Sequence, residues 1–135
     1  MADSLTTDLV LRLARREAES VGETRVRYAC WREGLPSPRL QVPILDARGR
    51  VVARVDMAWP EYGVFLEFDG LVKYATLLRP GETTSDAVVR EKHREDLIRE
   101  LTGWTCIRVT WADLADPARL AARIRAALLR RARTA

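Results

Sequence analysis

The chain has 135 residues, 47% hydrophobic and 31% charged, which fits one domain of ordinary size and argues against disorder. No apolar run approaches the ~18–20 residues of a membrane span, and the opening MADSLTTDLV lacks the basic and apolar blocks of a signal peptide. The net charge of +4 is local: residues 115–135 carry six arginines against Asp116, for +5, while residues 1–114 carry 17 basic and 18 acidic side chains, for −1. Such a basic terminal helix can meet a phosphate backbone or simply present a solvated face. Cys30 and Cys106 match no metal spacing, and with one histidine in the chain they argue against structural zinc and for two small core residues in a reducing cytoplasm.

In chain order, Leu5, Leu9 and Leu13 with Val10 and Ala14 predict a helix over 5–19. Ser20-Val21-Gly22-Glu23 has the form of a capping box and predicts a second helix from Ser20 to about Glu33, stopped by Gly34. Pro36 and Pro38 keep the next segment extended. Three strands follow, Leu40–Asp46, Val51–Trp59 and Val64–Asp69, joined by turns at Ala47-Arg48-Gly49 and Pro60-Glu61-Tyr62-Gly63. Residues 75–86 read as a loop, and a helix from about Asp86 to Leu101 ends at Gly103. Trp104–Trp111 is a fourth strand, and a last helix starts at Asp116-Pro117 and reaches about Arg131. The order α-β-β-β-α-β-α predicts an α/β (α+β) domain. Its first three strands are antiparallel and its fourth returns parallel through a helix. Residues 1–19 stand as an N-terminal connector and 20–135 as the domain.

The chemistry centres on Glu23, Asp56, Glu67 and Asp69. If the second and third strands form a hairpin turning between Glu61 and Tyr62, paired positions sum to 123. Asp56 then faces Glu67 and Arg54 faces Asp69, while Val55, Met57, Val64, Leu66 and Phe68 point to the core. Opposed Cβ atoms lie ~4.5–5.5 Å apart, so two carboxylates there repel unless water screens them, a divalent metal bridges them or Arg54 sits between them. Bland readings compete at each position: a solvated charged face for Asp56 and Glu67, a helix cap for Glu23, a turn for Asp69-Gly70. His93 reads as a surface residue, and Trp31, Trp59, Trp104 and Trp111 as core or rim aromatics rather than stacking platforms. No glycine-rich nucleotide loop, GxSxG or HExxH is present, so no nucleotide cofactor is expected.

The run Arg54-Val-Asp56-Met-Ala-Trp59-Pro60-Glu61-Tyr62, then Leu66-Glu67-Phe-Asp69-Gly70, resembles the very-short-patch-repair-like endonuclease domain family of the restriction-endonuclease-like PD-(D/E)XK superfamily. The likeness continues through Glu91-Lys92-His93-Arg94-Glu95-Asp96 and Gly103-Trp104-Thr-Cys-Ile-Arg108-Val-Thr-Trp111-Ala-Asp113-Leu114, with Glu23-Thr-Arg25-Val-Arg27 and Gly34-Leu-Pro36-Ser-Pro38-Arg-Leu-Gln41 upstream. It covers about residues 20–115. Similar domains occur at the C-terminus of actinobacterial proteins resembling AbiEi-type antitoxins, so the chain could be a fragment or short relative of a longer protein.

The resemblance implies a mixed four-stranded sheet with flanking helices and Mg²⁺- or Mn²⁺-dependent phosphodiester hydrolysis, with DNA as partner. It casts Asp56 and Glu67 as the core metal ligands, with Glu23 and Asp69 assisting. Asp69 occupies the place of the motif lysine, leaving Lys73 or Lys92 to assist the phosphate or the water. Arg54, Arg90 and Arg94 are the expected nucleic-acid contacts. The alternative is a catalytically inactive module of this fold that binds nucleic acid or a protein partner. Sequence alone leaves a homo-oligomer open, and the zinc ligands of the very-short-patch repair enzymes have no counterpart here.

Overall fold

The computed structural model describes residues 2–68 and 78–134. Its centre is one four-stranded sheet in the order β1-β2-β3-β4, formed by β1 (Arg39–Leu45), β2 (Val51–Trp59), β3 (Val64–Phe68) and β4 (Thr105–Val109). β1 and β2 pair antiparallel, as do β2 and β3, and β4 returns parallel to β3. The helices are α1 (Ala2–Arg32), α2 (Thr84–Thr102), the single turn α3 (Trp111–Leu114) and α4 (Pro117–Thr134). The predicted mixed sheet and order of elements hold. The predicted fourth strand, Trp104–Trp111, ends earlier at Val109, and Trp111 opens α3, because Thr110 and Asp113 form a reciprocal capping box.

The sheet is covered on both faces. Met57, Trp59, Leu66, Phe68 and Val109 pack on one side against Val26 and Cys30 of α1 and Leu120, Ile124 and Leu128 of α4. On the other side Val55, Ala58 and Phe65 pack with Ile44 of β1 and Ile98 of α2. The predicted hairpin register is observed at Met57↔Leu66, Ala58↔Phe65 and Trp59↔Val64. Alternation places Val55 beside Met57, but Val55 packs with Ala58 and Phe65, so the strict period fails between them. On the neighbouring strand Gln41, flanked by the pairs Leu40↔Met57 and Val42↔Val55, has φ +49, the single positive-φ non-glycine residue among those described. The change of face falls at that point of the β1–β2 ladder.

The two predicted N-terminal helices are one. α1 runs through Ser20 without a break, so Ser20 is no cap; its carbonyl accepts the Thr24 hydroxyl at 2.9 Å, and Glu23 is an interior helical residue. Nothing between Glu19 and Glu23 ends a helix. Gly22 alone weakens it, by about 1 kcal/mol relative to alanine, and that glycine has a packing reason. A Cβ on Gly22 would stand 3.0 Å from Cε2 and Cζ of Phe68, so the missing side chain lets α1 close down on the end of β3. Phe68 has little room to yield, since its ring meets Trp111 edge-on at 4.9 Å. Gly22→Val should therefore destabilise by about 1–3 kcal/mol in urea unfolding. Gly22→Ala should cost less, because its helix propensity offsets part of the clash.

The other end of α1 stops as predicted. Gly34 is left-handed at φ +70, its N–H donates to the Trp31 carbonyl at 3.2 Å, and the Leu35 N–H donates to the Cys30 carbonyl at 2.8 Å. The basic last helix is partly spoken for: Arg125 donates to the Glu33 carbonyl at 2.7 Å, locking α4 to the end of α1, and Arg123 pairs with Asp113 at 3.3 Å. Among the described residues no helix is long and apolar enough to cross a membrane.

Candidate functional site

The β2–β3 ladder runs from Trp59–Val64 to Met57–Leu66. Past that point side chains take over the stitching. Asp56, half-buried, accepts the Phe68 backbone N–H on Oδ2 at 3.1 Å. Glu67 follows Leu66 on the opposite face of the pleat and turns toward α2.

Two charged residues are buried among those described, Glu67 at 2% exposure and Glu91 at 9%. Burying a carboxylate is costly unless it is paired. Both are paired with Arg94. Its Nη1 donates to Glu67 Oε1 at 2.8 Å and to Glu91 Oε1 at 3.1 Å, while Nη2 donates to the Arg54 carbonyl on β2. One guanidinium from α2 thus ties β3 to β2 where their backbone pairing has ended. Burial alone would lower the Arg94 pKa, but Glu67, Glu91 and Asp56 together hold it above the ordinary value.

Among the described residues Arg94 is thus a cation paired with Glu67. Arg54, one sequence candidate for that place, is exposed and contributes its carbonyl. Arg94, expected to meet DNA, instead lies inside the cluster. Arg90, also expected to meet DNA, is held by Glu82 through Nε at 3.0 Å and Nη2 at 2.9 Å. Lys92 and His93 are exposed on α2. Lys92 lies one residue off the line of Ala87, Glu91, Arg94 and Ile98 that faces the sheet, about 100° round the helix. Glu23 is half-buried and accepts from Gln41 Nε2 at 3.5 Å. Because Gln41 lies across β1–β2 from Asp56, Glu23 approaches the same end of the sheet from the other side. Asp69 and Lys73 lie outside the described residues.

A second ionic group adjoins the first. Arg108, the register partner of Glu67 on β4, donates to Glu95, which also pairs with Arg99 at 2.8 Å. Burial raises the Glu95 carboxyl, but the Arg108 hydrogen bond and charge and the charge of Arg99 win and hold it below its usual range. Burial, reinforced by Glu95, pushes the Cys106 thiol up to about 12, and burial pushes Cys30 up to about 11. Neither thiol is a nucleophile near neutral pH.

Sequence reasoning missed Glu91 as the second carboxylate on Arg94 and gave Gln41 no role beyond its place in the resemblance. Glu91 had a readable signal: the i, i+4, i+7, i+11 stripe of α2 is Ala87, Glu91, Arg94, Ile98, two charges between two apolar residues. Gln41 had none, since nothing in its local sequence favours a positive φ.

The Glu82–Arg90 pair predicts a pH dependence. The Arg90 hydrogen bond, with that of the Arg79 backbone, lowers the Glu82 carboxyl from 4.5 to about 2. A folded-state pKa below the unfolded value means stability that is present above about 4.5 and lost as pH falls towards 2. Urea midpoints should fall across that window in the wild type and fall less steeply in Glu82→Gln.

No family model and no solved structure matches the chain. Two proteins of Mycobacterium tuberculosis, one from each of two strains and both described as uncharacterized, are 38% identical to it over 116 residues. The match takes in 85% of this chain and 39% of theirs, so the chain spans about two-fifths of the relatives' length.

Proposed function

We propose that this domain is a restriction-endonuclease-like, metal-dependent nuclease that hydrolyses phosphodiester bonds in DNA, acting in the cytoplasm. The observation that supports it best is that Asp56 holds the end of the β2–β3 ladder through the Phe68 N–H while the neighbouring Glu67 is buried there. Burying a carboxylate costs hydration, so a buried Glu67 at a strand end is a candidate for a functional role.

Among the described residues no set of three His, Cys, Asp or Glu side chains is arranged to hold a metal. Mg²⁺ needs fewer: one or two carboxylates suffice when substrate phosphates and water complete the shell. Asp56 and Glu67 fit that requirement, with Glu23 and Asp69 as assisting carboxylates and Lys73 or Lys92 as the group facing the phosphate. A bound Mg²⁺ or Mn²⁺ would supply Lewis-acid activation of water and charge stabilisation at the leaving oxygen. Asp56 keeps the strand end closed through Phe68, and Arg94 sets the rotamer of Glu67.

A second reading has its own support. Arg94 already fills the place beside Glu67 that a metal would take, which suits an inactive module binding nucleic acid or a protein partner in an antitoxin-like regulator. Calorimetric Mn²⁺ titration of the wild type, Asp56→Ala and Glu67→Ala, with and without duplex DNA, separates the two. Binding that both substitutions abolish in folded protein supports the nuclease. Absence of binding even with DNA present supports the module.

A further inference from the structure

The outward side of α1 carries a feature that the acidic cluster does not use. Tyr28 is 57% exposed and Trp31 73% exposed, and their rings form a tilted pair with centroids 5.9 Å apart. The sequence places Trp31 in the core or at its rim; of the four tryptophans only Trp59 is fully buried, donating Nε1–H to the Pro36 carbonyl at 2.8 Å. Exposing both rings side by side forgoes a large hydrophobic gain.

The setting is cationic. Between Thr24 and Arg32 the helix carries Arg25, Arg27 and Arg32 and no acidic residue. All three arginines are exposed, and no ion pair within the described residues engages them. Tyr28 and Arg25 also edge a groove of about 320 Å³ between α1 and the start of α4, floored by Ala29, Leu114 and Leu120. That volume lies in the range of small-molecule sites. α1 lies on the sheet face opposite α2, so this surface is separate from the Glu67–Arg94 cluster.

We propose that the outward face of α1 binds single-stranded nucleic acid, with bases stacking on Trp31 and Tyr28 and phosphates meeting Arg25, Arg27 and Arg32. Charge decides the occupant: a polyanion with π faces matches both halves of the patch, and an apolar protein face would leave three arginines unmatched. The binding needs no metal and does not rest on the nuclease reading.

The test is fluorescence anisotropy of a labelled oligothymidylate in EDTA at low salt. Wild type should bind, with affinity falling steeply as salt rises. Trp31→Ala and Tyr28→Ala should each weaken binding about tenfold, and Trp31→Phe should restore most of it. Both side chains are exposed, so unfolding midpoints should stay near wild type. Inorganic polyphosphate, which has charge and no bases, should bind without sensitivity to Trp31→Ala. Equal oligothymidylate affinity in Trp31→Ala and wild type overturns the proposal. So does a wild type that fails to bind, or a sedimentation coefficient that drops in Trp31→Ala, which would make the patch a contact between copies of the chain.

Discussion

Arg94→Met should lower stability by about 3–5 kcal/mol at neutral pH, the range for leaving a buried charge without its partner. The loss is one of context rather than of one ion pair. Arg94 answers two buried carboxylates and a backbone carbonyl at once, and methionine can satisfy none of them. Arg90→Met is the control. Its partner Glu82 is 13% exposed where Glu67 is 2% exposed, so less hydration is given up there and the loss should be smaller. The Arg94→Met deficit should shrink as pH is lowered into the carboxylate range, because a protonated carboxyl needs no counter-cation. Glu67→Gln placed in the Arg94→Met background should recover part of the loss. Urea unfolding of the four proteins measures all of this. Equal losses in Arg94→Met and Arg90→Met would mean that the guanidinium does not hold the cluster together.

Legibility in the sequence followed locality. The strand spans, the register and the Gly34 and Gly103 stops were readable because each depends on a few adjacent residues: alternation, a short turn, a glycine after a helical run. The same arithmetic set Asp56 opposite Glu67, one pair beyond the point where the ladder ends. What could not be read depended on distant neighbours. Gly22 looked like part of a cap because its reason, the ring of Phe68, lies 46 residues further on. Val55 changes face opposite the positive-φ Gln41 of the next strand, a backbone feature with no local sequence signal. Arg94 read as a surface cation in a charged helical run, and only the packing of α2 on the sheet turned it inward. Trp31 failed the other way: an apolar residue at helical spacing reads as core until the helix is seen to have a bare side.

Asp56→Asn is the substitution that separates chemistry from structure. Asparagine keeps a side-chain oxygen that can accept the Phe68 N–H, so the end of the β2–β3 ladder should survive and unfolding midpoints should move by less than about 1 kcal/mol. What is lost is one negative charge. If Asp56 is a metal ligand in a nuclease, cleavage of duplex DNA in Mn²⁺ should fall at least about a hundredfold, since a metal-binding carboxylate supports several kcal/mol of transition-state stabilisation. Glu67→Gln should lose activity too, but with a measurable stability change, because it disturbs the Arg94 pairing. One variant should thus be folded and inactive, the other inactive and altered in stability. Wild-type cleavage that survives Asp56→Asn would place hydrolysis elsewhere. A wild type that binds DNA in EDTA and cleaves nothing in Mn²⁺ would leave the acidic pair as scaffold, with Arg94 as its permanent cation.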